Sequence, residues 1–168
     1  CSVSIGLAIE KQLVLGVIDC PHLRRTYSAI KNGGAYCNGR PIRVSSIRTV
    51  EKALIESDLP IGSKQHSGSA RQLFDAIHWK CQGFRSIGSC CVSMCLVADG
   101  SADCYFMMGL KIWDMAAGYV IITEAGGFIC NINGQDFDPN QGKLIAASNP
   151  DLAKEIVNRI RYSEQQSN

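Results

Sequence analysis

Near residue 70 the hydrophobic rhythm of this chain changes, and no other feature limits its possible folds as much. Upstream, "CSVSIGLAIE" and "LVLGVIDC" are apolar and β-branched with the polar "KQ" between them, a hairpin pattern. "RTYSAIKNGGAYCNGRPIRV" then carries Asn32-Gly33 and Asn38-Gly39, pairs suited to turns with positive φ, so further antiparallel strands follow. A short strand is expected in "KALIESDLP", closed by Pro60, and a loop in "GSKQHSGSA". From "SARQLFDAIHWK" onward Leu73, Phe74, Ile77 and His78 share one face at helical spacing. Strands and helices then alternate: strand "GFRSI", helix "SCCVSMCLVAD" stopped by Gly100, strand "ADCYFMM", and a helix from Asp114 to Ala125 stopped by Gly126. Strand "GFICNI", a turn at Asn133-Gly134, strand "LIAAS" and a helix "PDLAKEIVNRIR" begun by Pro150 complete the series. A sheet meander followed by a smaller alternating half predicts a layered α/β unit of the α+β kind.

A chain of 168 residues is one domain by default. Within it, 1–60 is read as the meander, 61–162 as the α/β half and 163–168 as a frayed tail. The formal charge of +2, with Lys and Arg scattered, argues against a nucleic-acid partner. No apolar run approaches the roughly 18 residues that span a bilayer, so no membrane role is expected. Nine cysteines at irregular spacing, several inside apolar patterns and none in a C-x-x-C pair, imply free thiols and a cytoplasmic setting. The chain opens at Cys1 in the middle of a strand pattern, without a cap or turn before it. We therefore expect the meander to continue an amino-terminal half that lies upstream, leaving an incomplete fold here.

The stretch "KIWDMAAGYVIITEAGG" places one carboxylate, Asp114, before a run of small and apolar residues. An Asp at that place can cap the helix and is favoured by the positive end of its dipole. Ala116, Ala117 and Gly118 keep the first turns free of bulk, so a second element or a ligand can approach the backbone. A carboxylate held there is also suited to a hard cation such as Mg²⁺, whose shell is completed by other oxygens. The three histidines, His22, His66 and His78, are too dispersed to form a metal site, and "GSK" at Gly62 lacks the glycine of a phosphate loop.

"WDMAAG" followed by "EAGG" resembles the second signature of the inositol monophosphatase family. "VSIGLAIEKQLVLGVI", "GGAYCNGRPIRVS", "RSIGSCCVSMCLVADGSADCYF" and "KLIAASNP" are similar to other family segments, in family order. The resemblance runs from about Cys1 to Arg161. It implies αβαβα subunits of the sugar-phosphatase type that pair as homodimers. It also implies Mg²⁺-dependent, lithium-sensitive removal of phosphate from a small phosphate monoester, inositol monophosphate above all. On the same ground Asp114 is a metal ligand, while Gly88, Ser89 and Cys90 lie against the substrate ring. From the residues alone, Ser89 reads equally as a helix cap, Gly88 as a turn and Cys90 as core.

Two departures qualify this picture. Family members often carry a Glu seven residues before the metal Asp, where it accepts hydrogen bonds from ring hydroxyls; this chain has Met107, a weak acceptor. The family's first signature, an Asp-Pro-x-Asp-Gly-Thr run, matches nowhere among the fifteen carboxylates. One carboxylate cannot offset the dehydration of a divalent ion, so the chain is expected to be inactive alone and to act as the carboxy-terminal half of the enzyme. No residue of this chain is assigned to the chemical step itself. The alternatives are a non-catalytic homologue working through a dimer or interaction surface, and a relative acting on other sugar or nucleotide phosphates.

Overall fold

The computed structural model of this chain describes residues 1–58, 74 and 76–165, with side chains described to residue 162. The meander is a five-stranded antiparallel sheet in sequence order: β1 (Val3–Ile9), β2 (Gln12–Cys20), β3 (Arg25–Ile30), β4 (Ala35–Cys37) and β5 (Arg40–Pro41). Glu10 and Lys11 both take positive φ to close the first hairpin, and Asn38-Gly39 closes the last, with φ of 49° and 74°.

The second sheet is mixed and ordered β7-β6-β8-β10-β9. Its strands are β6 (Leu54–Glu56), β7 (Gly83–Arg85), β8 (Cys104–Met108), β9 (Phe128–Cys130) and β10 (Lys143–Ala147). β6 runs parallel to both β7 and β8, while β10 pairs antiparallel with β8 and β9. This moves one expectation: "KALIES" does not close the meander but lies near the middle of the second sheet. The buried carboxylate of Asp103 fixes the start of β6, accepting the Leu54 amide at 2.6 Å and the Ser45 hydroxyl.

Three helices are described: α1 (Cys90–Ala98), α2 (Ile112–Glu124) and α3 (Pro150–Gln165). Phe74 and Ala76–His78 are helical as their spacing predicts; Leu73 and the expected loop 62–70 lie outside the described residues. Gly100 and Gly126, with φ of 77° and 87°, end α1 and α2. α3 starts on Asn149, whose Oδ1 accepts the Leu152 amide at 3.0 Å, and runs to Gln165, into the stretch expected to fray.

The elements stack as sheet, helix pair, sheet, helix. One apolar core joins Ile18 and Tyr27 of the meander to Met94 of α1, Met115 and Ile121 of α2, and Tyr105 and Leu144 of the second sheet. The other face of that sheet sends Ile55, Phe106 and Ile145 against Leu152 and Ile156 of α3. Period-two alternation along β8 and β10 divides their side chains between the two cores. The small residues of α2 are used on both sides. Gly6 and Gly16, paired across β1 and β2, lie under Ala116 and Ala117, and a Cβ on Gly118 would come within 2.6 Å of Met94 Sδ.

Candidate active site

β7, β6 and β8 run parallel, so their carboxyl ends point the same way, the position at which open α/β sheets expose ligand sites. Asp58 after β6, Ser86, Gly88 and Ser89 after β7, and residues 109–111 after β8 line, with the starts of α1 and α2, a cavity of about 1150 Å³. Its wall contains all five residues singled out by sequence: Gly88, Ser89, Cys90, Met107 and Asp114. These come from three separate elements, and only folding brings them together.

Asp114 is placed differently from its reading as the first residue of a helix. The turn at Gly109 releases the chain into an extended Lys111, which is the N-cap, so Ile112 and Trp113 are already helical. Asp114 reaches back one turn, and its Oδ2 accepts the Lys111 amide at 2.8 Å. The other carboxylate oxygen accepts no hydrogen bond among the described residues. The Cys90 and Cys91 thiols donate to the Asp114 carbonyl at 3.4 and 3.5 Å, tying the starts of α1 and α2. Burial pushes both thiols above the ordinary cysteine range, so they are protonated donors and poor nucleophiles.

Ser89 occupies the N-cap of α1 with extended backbone, yet its side chain makes no capping bond. Its hydroxyl and the unbonded first-turn amides of α1 are left for the cavity. Gly88 has a φ of 76° with open space around it, so glycine is required by the turn rather than by close packing. Met107 is half-buried beside Leu144 in the second sheet, with Met108, Tyr105 and Trp113 in the same wall.

Asp58 was missed by sequence reasoning. It follows β6, and its Oδ1 accepts both the Ser86 hydroxyl and the Gly88 amide at 2.7 Å, holding the loop that carries Gly88 and Ser89. No local signal marks it, because its partners Ser86 and Gly88 lie 28 and 30 residues downstream. Lys111 also enters the wall without having been singled out.

Residues 1–165 match the family described as "Inositol monophosphatase family". The chain belongs to the inositol monophosphatase family. The rat protein named "Inositol monophosphatase 1" is 37% identical over 163 residues, which cover 95% of this chain and 58% of the relative. The human "Inositol monophosphatase 2" is 35% identical, over 95% of this chain and 56% of its own length. Among solved structures, extragenic suppressor protein suhB from Bartonella henselae superposes with a TM-score of 0.90 at 29% identity, covering 95% of this chain and 61% of that one. The inositol monophosphatase from Anabaena gives 0.88 at 26% identity, over 96% of this chain and 65% of that one. This inositol monophosphatase family chain thus spans under three fifths of the length of the curated relatives it matches.

The donor set of the cavity falls short of what a divalent cation requires. Asp114 offers one free oxygen, whereas the Oδ1 of Asp58 is engaged by Ser86 and Gly88. Among the described residues no three His, Cys, Asp or Glu side chains gather for a metal. These oxygens alone do not complete the shell of a hard ion, which takes about six donors.

Proposed function

We propose that this chain forms the substrate-facing wall of a phosphate monoester hydrolase, with inositol monophosphate as the substrate class and Mg²⁺ as the cofactor. The observation that carries the reading is the convergence of Asp114 with Gly88, Ser89 and Cys90 on one cavity in a chain of this family. Asp114 is proposed as one metal ligand, presenting the oxygen that Lys111 leaves free. The first turn of α1 supplies unbonded amides and the Ser89 hydroxyl, donors suited to an oxyanion or a ring hydroxyl. Asp58 positions that turn by holding Gly88 and Ser86. The cation supplies a nucleophilic water and charge stabilisation when bound. Its other ligands are proposed to come from polypeptide outside this chain, so the chain alone is inactive. Homodimer formation and a cytoplasmic location belong to the same proposal.

A longer protein containing this chain should release phosphate from inositol monophosphate only with Mg²⁺, and Asp114→Asn should lower that rate by at least about a hundredfold. Phosphate release is the measurement; undiminished turnover in Asp114→Asn removes Asp114 from the mechanism. Family-like turnover by the isolated chain would instead refute the division of the site.

A second reading of the substrate rests on Met107. Its thioether, with Met108, Tyr105 and Trp113, makes one side of the cavity apolar. That wall suits a leaving group with fewer hydroxyls than inositol, such as another sugar phosphate or a nucleotide. A substrate panel on Met107→Glu separates the two, since the acid restores a strong acceptor for a polyhydroxylated ring.

A further inference from the structure

At the opposite end of α2 from Asp114 lies a second cleft of about 470 Å³, within the range of roughly 300–1,000 Å³ for small-molecule sites. It shares no lining residue with the first cavity. The β1–β2 turn contributes Lys11, the end of β3 contributes Lys31, and the loop after β9 contributes Phe137.

Its charge is unbalanced by geometry. The Lys31 ammonium donates to a neutral partner, Gln12 Oε1, at 2.9 Å, and Lys11 has no ion pair among the described residues. The carboxylate of Glu124 does not answer either lysine. Its two oxygens accept the Asn32 and Gly34 amides, each at 2.8 Å, so its lone pairs are turned onto backbone. Two exposed lysines therefore line the cleft against one carboxylate that pairs with neither of them. Beside them Tyr119 and Phe137 stack with centroids 5.0 Å apart and planes at 17°, an aromatic pair that is half-buried against the core. Cations beside a stacked aromatic pair match a ligand with an anionic end and a planar ring.

We propose that this cleft binds a phosphate attached to a planar aromatic group, of the nucleoside monophosphate class, at a site separate from the Asp114 cavity. The lysines receive the phosphate, and the base lies along Tyr119 and Phe137.

The probe is adenosine monophosphate, titrated into the chain with amide chemical shifts as the readout. Shifts should concentrate at 11–12, 31–32, 119–124 and 137, and Asp114→Asn should leave the affinity unchanged. Lys11→Gln with Lys31→Gln should weaken binding at least about tenfold, the loss expected when charge-assisted contacts to phosphate are removed. Both lysines are exposed, so this variant keeps the fold, which circular dichroism checks. Phe137→Leu keeps bulk but loses the ring, and should weaken adenosine monophosphate while leaving the weak binding of inorganic phosphate unaltered. The proposal is overturned if the lysine variant binds as tightly as the parent. It also fails if Asp114→Asn abolishes the shifts, or if inorganic phosphate binds as well as the nucleotide.

Discussion

Glu56 lies at the end of β6, buried near two other acids, Asp58 and Asp99. It is 2% exposed, and among the described residues its Oε2 has no hydrogen-bond partner. Loss of water pushes its carboxyl above the ordinary range, and the nearby charges of Asp58 and Asp99 push the same way. An acid with a raised folded-state pKa holds its proton in the folded state after the unfolded chain has lost it. Folding stability therefore falls as pH rises from the unfolded value near 4.5 through the folded one. Glu56→Gln should flatten that decline in urea unfolding followed from about pH 4.5 upward. An unchanged slope would show that Glu56 is not the titrating group. Neither Glu56 nor Asp58 could be read as special from "IESD", because burial and the approach of the 86–88 loop are tertiary facts. Asp114 was legible as a helix-start acid because the small residues after it are local. Its place at the third helical position was not, since Ile112 and Trp113 carry no signal against a helix.

At the scale of elements, α2 is held by what its neighbours lack. A side chain on Gly16 would overlap the Ala117 carbonyl and lie 2.9 Å from the Ala117 Cα, backbone atoms that cannot rotate away. At Gly6 the obstacle is the Ala116 Cβ at 2.8 Å, an equally fixed atom. Gly16→Ala should therefore lift α2 off the meander and cost about 3 kcal/mol, measured as a lowered thermal midpoint. Equal stability of the variant would mean that the helix and the sheet are not in this close contact. The alternation of strand and helix after residue 80 was readable because each element carries its own period and its own stop, such as Gly100 and Gly126. The assignment of β6 to the second sheet was not readable. A three-residue apolar strand has the same pattern in either sheet, and its partners lie about 30 and 50 residues downstream.

The whole molecule is a stack of four layers with one face uncovered. Val3, Ile5, Leu7 and Ile9 of β1 are between 46% and 58% exposed, because Ser4 and Gly6, which alternate with them along the strand, occupy the side that meets α2. Ile5 pairs with Val17 and Leu7 with Leu15, and Leu15 pairs in turn with the exposed Ile30, so the apolar surface continues across three strands. The two edges of this sheet differ. β5 is two residues long and contains Pro41, a blunt edge, whereas β1 offers seven residues, interrupted by one register shift between Leu7 and Ala8. A continuous apolar surface next to an unprotected edge favours contact with another such surface over contact with water. The chain on its own should therefore self-associate as its concentration rises, seen by sedimentation velocity. Ile5→Lys with Leu7→Lys should shift it toward monomer without loss of helical circular dichroism, because neither side chain enters the core. A parent chain that sediments as a monomer at about 100 µM, well above the concentration at which micromolar contacts form, would show that water tolerates this face as it stands.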